Sequence, residues 1–362
     1  MLNIFCIATD ILANVINKET KFRPIKSTLI ALTGFCILSS ACSDTESAAS
    51  NNSEPVTLYS ERSKDLIQPI IDQYETETGN KVEVRYGDDG ELVALLNEEG
   101  DKTPADVFLS KTPGAIGVLE QNDHLTEISE NTLSLVEETV KDKEGLWVGI
   151  SGRQRVLVYN TDLLTVDELP ETIFELTEPE WKGKLGLAPN NGSFRDFVTA
   201  MRTSIGEEKT AEWLAGIAAN EPETYPKNGP IIDAVGIGEV EVGLVNHYYN
   251  FRELEENPEH KGANHQFPAS DPGSFLMISA ATKLKATDNT DAADELIKWL
   301  LGEDAQRYFA DETFEYPLAN GVAPAANIPD AQFSDVSDID YQALGDDLAT
   351  TQQMISDAGL RE

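Results

Sequence analysis

"LWVGISGRQRVLVYN" (Leu146–Asn160) is a long apolar stretch rich in β-formers, interrupted by Gly152 and by Arg153 and Arg155. A strand in a globular protein usually runs about five or six residues. This one is far longer, as a strand must be that leaves one layer of structure and enters another. "GSFLMISAATKL" (Gly273–Leu284) reads as a second crossing of the same kind.

On both sides of the first crossing the chain alternates strands and helices. "PVTLYS" (Pro55–Ser60) is a strand, and "SKDLIQPIIDQYETETG" (Ser63–Gly79) carries apolar residues at helical spacing up to a terminal glycine. "KVEVRYG" alternates as a strand, "DGELVALLNEEG" (Asp89–Gly100) is a helix, and "ADVFLS" (Ala105–Ser110) is a buried strand. Such a βαβαβ opening predicts a parallel sheet with right-handed crossovers. Beyond the crossing, "NNGSFRDFVTAMRTSIG" predicts a helix that starts behind Asn191-Gly192-Ser193, and "GPIIDAVGIGEVEVGLVNHYYNF" a helix and a strand. "AADELIKWLLGEDAQRYFADE" predicts one further helix.

Roughly 310 residues follow the N-terminal leader and exceed one comfortable core, so two lobes are expected. The predicted class is α/β, with two lobes, two β-strand hinge crossings and a central ligand cleft. Lobe 1 is assigned 56–150 plus 277–318, and lobe 2 is assigned 151–276 plus 319–362. Lobes joined in this way bind a small ligand between them as they close.

The leader, 1–42, is read as a secretory signal. Lys18, Lys21, Arg23 and Lys26 precede the apolar run "STLIALTGFCILSSA" (Ser27–Ala41), which is too short and wrongly flanked to span a membrane. Cys42 follows small residues and is the expected lipidation site, with simple cleavage near Ala41 as the alternative. The polar tract 43–55 is a tether between anchor and domain.

All three cysteines, Cys6, Cys36 and Cys42, lie in the leader. The body therefore has neither a disulfide nor a thiolate metal ligand, and a metal site must use oxygen or imidazole. Of 27 basic and 64 acidic residues the leader holds four and two, which leaves a body charge of −39. Such a body repels nucleic acid and anionic membrane surfaces. No HExxH, GxSxG or GxxxxGK[ST] occurs, and "GIG" at Gly236–Gly238 lacks the rest of a dinucleotide fingerprint. Paired carboxylates in an exported hydrolase stay open as an alternative, although nothing singles out a pair.

"NHYYNF" (Asn246–Phe251) places His247 and two consecutive tyrosines where "VEVGLV" ends and a helical pattern begins. Tyrosine packs into cores more often than it binds metal. An ionised phenol is nonetheless a hard anionic donor, suited to a hard, highly charged cation such as Fe(III). Two adjacent phenols can reach one ion where a strand breaks into a helix.

"LYSERSKDLIQPIIDQYETETG", "EEGDKTPADVF", "WVGISGRQRVLVYNTD", "WKGKLGLAPNNGSF", "YPKNGPIIDAV", "GEVEVGLVNHYY", "DPGSF" and "FEYPL" occur in this order. Together they resemble the periplasmic ferric-ion-binding proteins, the solute receptors of bacterial iron(III) ABC importers. The likeness spans Tyr59 to Val322. It implies two hinged α/β lobes that clamp Fe(III) between tyrosinates and a synergistic anion, carbonate, bicarbonate or phosphate, without catalysis. It also implies an ABC permease as partner, a monomer, and a location outside the cytoplasm, with membrane contact only through the N-terminal anchor.

Residue by residue, Tyr248 and Tyr249 match the paired iron-ligating tyrosines. Asn191, Gly192 and Ser193 match the anion-holding loop, a role that backbone N–H groups at a helix start suit. Asn228 and Asn246 match the asparagines that contact phosphate in some members. Arg153 and Arg155 match the "SGRxRV" arginines, with anion binding or charge balance as their use. The chain departs from the pattern at three places. Ser63 stands where the family has a histidine ligand, Lys111 where it has a glutamate, and Asn191 where some members have a third tyrosine. Exogenous anion and water, or neighbours such as Tyr59, Glu61 or Tyr225, are expected to complete the coordination, with Tyr59 the first of these. His247 is a weaker ligand candidate, since the family commonly has a non-ligating residue there. The same fold binding an oxyanion or a small anionic metabolite is the alternative function.

Overall fold

The computed structural model describes residues 54–88, 90–329, 344 and 348–361. The leader with its Cys42, and nearly all of the tether, lie outside the described residues. The described chain is part of one compact unit, Asn51–Glu362.

The first half runs β1 (Val56–Ser60), α1 (Lys64–Thr78), β2 (Val82–Tyr86), α2 (Glu91–Glu99), β3 (Val107–Leu109), α3 (Pro113–Gln121), β4 (Leu125–Thr126), α4 (Glu130–Leu133) and β5 (Trp147–Asn160). Next come β6 (Leu185–Leu187), α5 (Gly192–Ile205), α6 (Glu207–Ala219), β7 (Glu223–Thr224), α7 (Asn228–Ile237), β8 (Val242–Asn246), α8 (Tyr248–Glu256) and β9 (Gly262–His265). β10 (Leu276–Leu284), α9 (Thr290–Leu300), α10 (Glu303–Asp311), β11 (Tyr316–Pro317) and a last helix, α11 (Leu348–Asp357), complete it.

The local reasons match the sequence pattern. Ile67, Ile70, Ile71 and Tyr74 place one apolar stripe of α1 in the core, and Gly79 ends the helix in the left-handed region at φ 77°. β1 pairs in parallel with both β2 and β3, as the βαβαβ pattern predicts.

β5 organises everything else. All 14 of its residues are buried. From Trp147 to Gln154 it pairs with β10, whereas from Arg155 onward it pairs with β8 and β9. One side of the sheet is therefore ordered β2-β1-β3-β10-β5, and the other β5-β8-β6-β7. The strand changes partners between Gln154 and Arg155, and this is the crossing that its length predicted. The second passage differs from expectation. β10 stays within the first side, bonded to β3, β4 and β5, and residues 272–274 form a 3-10 turn. The return is thus made by the connecting segment between β9 and β10. The expected single helix after β10 is also two, because Gly302 adopts an extended conformation at ψ 159° between α9 and α10.

In the second half, β6 and β8 run parallel and end on the same side. α7 packs closely on β8 at Gly243, where an added Cβ would lie 2.2 Å from Ile231 Cγ2. Phe194 and Phe197 of α5 form an aromatic group with Trp213 and Phe275. Crevices at the carboxyl ends of parallel strands are where α/β sheets bind ligands, and both α5 and α8 start there.

Candidate functional site

β8 delivers Asn246 at its last position, and the chain turns directly into α8 through His247. Tyr248 and Tyr249 occupy the first turn. Their rings stack at 4.3 Å between centroids and 28° between planes, so the consecutive phenols lie side by side. Tyr248 is buried and Tyr249 partly exposed. Burial, the neighbouring Tyr249 and Glu315 raise the Tyr248 phenol well above its ordinary range, while Arg62 and Arg153 pull it down.

Three buried arginines lie close enough to act electrostatically on this pair. Arg62, just past β1, donates to Glu315, which also accepts from Ser151 Oγ at 2.5 Å. Glu315 is fully buried. Burial disfavours its charge, but the Arg62 and Arg153 guanidiniums and the bonds from Arg62 and Ser151 hold its carboxyl below the ordinary range. Arg153 donates to the Lys111 carbonyl and to the Ile278 carbonyl at 3.3 Å. Its pKa is lowered by burial and then by Arg62. Arg155 reaches the other way, donating to Asn246 Oδ1 at 3.2 Å and lying over the rings of Phe194 and Phe197. Burial pulls it down to about 9, with Tyr249 opposing.

The anion loop is built around the start of α5. Asn191 caps the helix: its Oδ1 accepts from Ser193 N at 3.0 Å and Ser193 Oγ at 2.7 Å. Asn228 Nδ2 donates to Ser193 Oγ at 3.3 Å, leaving its own Oδ1 buried without a partner. Asn191, Ser193 and Asn228 are thereby joined, Gly192 lies between the first two, and Arg155 lies against α5 while bonded to Asn246.

Among the described residues no three His, Cys, Asp or Glu side chains gather where they could hold a metal ion. The metal donors this cluster offers are the two phenol oxygens. A cavity of about 390 Å³ opens elsewhere, lined by Gln154, Glu171, His265, Gln266, Phe267 and Pro268. The tyrosine pair does not line it. The phenols are packed among side chains rather than set on the floor of that opening.

The sequence profile of the bacterial extracellular solute-binding proteins matches residues 102–342. The chain belongs to that family. Among its relatives is the Fe(3+)-binding periplasmic protein of Serratia marcescens, 29% identical over 315 residues that cover 86% of this chain and 92% of the relative. The major ferric iron-binding protein of Neisseria meningitidis is 31% identical over 279 residues, covering 75% and 83%. Iron-bound HitA from Pseudomonas aeruginosa superposes with a TM-score of 0.78 at 29% identity, over 84% of this chain and 99% of that one. A Trichodesmium protein in complex with iron and citrate gives 0.74 at 25% identity, over 85% and 100%.

Within this solute-binding protein, the two weaker ligand candidates have partners of their own. The Tyr59 hydroxyl faces Glu99, 3.2 Å from both carboxylate oxygens, and Arg85 lies over its ring. Strand alternation sends its side chain away from the face that Ser60 occupies. Burial drives the His247 imidazole down to about 4, with Glu315 opposing. A neutral imidazole has one lone-pair nitrogen. Here it is Nδ1, which accepts from Gln154 N at 3.1 Å. The ring stacks on Tyr316 at 4.6 Å and ties the tyrosine turn to the crossing point of β5. Tyr225 bonds Glu239 at 2.9 Å, and Glu61 accepts from the backbone of Gly90 and Lys111. Ser63 is exposed.

Arg62, Glu315 and Ser151 were not read from the sequence. Arg62 and Glu315 fall within "LYSERSKDLIQPIIDQYETETG" and "FEYPL", but their contact spans 253 positions and no local pattern encodes it.

Proposed function

We propose that this chain is an extracytoplasmic receptor that captures ferric ion together with an anion and passes it to an ABC permease. The observation that carries this reading is the stacked Tyr248–Tyr249 pair at the start of α8, enclosed by buried guanidiniums. Phenolates suit Fe(III) by hardness, and the nearby positive charges favour the ionised phenols that a ferric ion needs. The named relatives are ferric-binding proteins, and a superposable neighbour is iron-bound.

Arg155, Asn246, Asn228, Ser193 and the Asn191–Gly192 turn hold the co-bound anion, carbonate, bicarbonate or phosphate. With Ser63 and Lys111 in the places of the family's histidine and glutamate, that anion and water supply the remaining coordination. Lobe closure turns about the Gln154–Arg155 junction, with lobe 1 built on 56–150 plus 277–318 and lobe 2 on 151–276 plus 319–362. The protein acts as a monomer, held to the outer face of the membrane through lipidated Cys42.

Equilibrium dialysis against a ferric chelate in bicarbonate or phosphate buffer tests the reading. One iron is expected per chain, with retention lost in Tyr248→Phe and Tyr249→Phe. A second reading, an oxyanion receptor without iron, draws on the unpartnered guanidinium nitrogens. Tight phosphate binding without iron uptake would establish it in place of the first.

A further inference from the structure

We propose that the cavity beside the β5 crossing is a binding site for a small organic cation, an amidinium, guanidinium or primary ammonium group carried on an apolar body. The site is separate from the tyrosine pair and does not depend on the ferric reading.

The cavity lies where the two passages between the halves of the molecule meet. Gln154 is the last residue of β5 before that strand changes partners, and Gln266, Phe267 and Pro268 open the return segment after β9. Strand alternation points Gln154 to the opposite face of β5 from Arg153 and Arg155. The walls are held in place. His265 Nε2 donates to the Pro170 carbonyl at 2.9 Å, while Thr172 Oγ1 donates to Asp271 and Ile173 N to the same carboxylate at 3.3 Å. Residues 170–173 are thus tied to the return segment on either side of Gln266–Pro268. At about 390 Å³ the space falls in the range of small-molecule sites, about 300–1,000 Å³. Fixed walls spare a ligand the cost of ordering them.

The hydrogen-bond network decides the sign of the ligand. The Ser274 carbonyl can only accept, so Gln154 turns Nε2 to it, at 3.1 Å, and presents Oε1 to Gln266. That oxygen takes a donor, so Gln266 offers Nε2, at 2.7 Å. The same nitrogen donates to the Tyr316 hydroxyl at 3.2 Å, whose own hydrogen goes to the Pro329 carbonyl at 3.0 Å. Gln266 Oε1 is left over as an acceptor. His265 spends Nε2 on Pro170, which leaves Nδ1 of the neutral ring as a second acceptor. The exposed Glu171 carboxylate is the third, and among the described residues none of these three atoms or groups has a partner. A lining whose free side-chain atoms all accept, one of them with a negative charge, suits a ligand with several donors and a positive charge. An anion finds no free side-chain donor there. Phe267 and Pro268 add an apolar wall against which a flat or aliphatic body packs. A bare metal ion would neither fill the space nor use that wall. The net charge of −37 raises the local concentration of cations around the opening.

Isothermal titration calorimetry of the full-length protein with benzamidine tests the proposal, with benzamide as a neutral counterpart of nearly the same shape. Benzamidine is expected to bind once per chain with a Kd of about 1 mM or tighter. Benzamide should bind about five- to tenfold more weakly. Glu171→Gln changes an exposed side chain and leaves the fold intact; it should weaken benzamidine by about five- to tenfold. Glu180→Gln, at an exposed position outside the cavity, should leave the affinity unchanged. No benzamidine binding up to about 10 mM overturns the site, as do equal affinities for benzamidine and benzamide. A Glu171→Gln Kd within about twofold of wild type overturns it too. An equal loss in Glu180→Gln would do the same, by showing only general attraction to an acidic surface.

Discussion

Glu315→Gln removes one charge from the centre of the molecule and leaves its shape nearly intact. Arg62 and Glu315 are both buried, and Arg153 lies close enough to Arg62 for each to feel the other's charge. The variant leaves two buried guanidiniums without the carboxylate charge that offsets theirs. Breaking a buried pair from one side costs about 3–5 kcal/mol. Glutamine keeps one acceptor oxygen for Arg62, and its NH2 can donate to Ser151 Oγ in place of the lost acceptor, which places the expected loss near the lower end, about 3 kcal/mol. Urea unfolding of the iron-free protein at neutral pH reads it directly. The loss also has a pH signature. The folded pKa of Glu315 lies below its ordinary 4.5, so its contribution is fully present above that value and disappears as pH falls through the folded one. The gap between wild type and variant should narrow below pH 4.5. A loss under about 1 kcal/mol, or a gap that persists unchanged in acid, would refute the pair as the keystone of this cluster.

Other consequences are less local. Gln306 donates to the Ile150 and Leu300 carbonyls and accepts from Leu318 N and Ala319 N, all at 2.8–3.0 Å. Gln306→Leu strands four buried backbone groups and should cost more than about 3 kcal/mol, measured by the shift in urea midpoint. Asn191→Ala removes the cap of α5 and should cost about 1 kcal/mol by the same measurement, while also weakening anion uptake. With a net charge of −37, the folded chain repels itself. Its thermal midpoint should therefore rise with added sodium chloride as the Debye length falls from about 30 Å at 0.01 M to about 10 Å at 0.1 M. A midpoint that does not move would show the acidic surface to be locally balanced.

What the sequence made legible was what local pattern encodes. The length of β5 marked a passage between two sets of partners, and the strand-to-helix break after β8 placed two phenols together. The stop at Gly302 was hidden because the apolar pattern runs on through it. Tyr59 and His247, the two weaker ligand candidates, share one limit of local pattern: it shows the chemistry near a site but not the partner that each group takes up. Glu99 and Gln154 N are those partners, and neither has a local signature. The Arg62–Glu315–Ser151 group was hardest to see. Among 64 acidic residues nothing in the chain distinguishes the one carboxylate that folding buries.

Visible absorbance of the purified chain, titrated with ferric ion in bicarbonate, tests the central claim most directly. The account predicts a tyrosinate-to-iron charge-transfer band that saturates at one iron per chain and is abolished in the Tyr248→Phe, Tyr249→Phe double variant. A colourless protein, or a band that survives loss of both phenols, would contradict it.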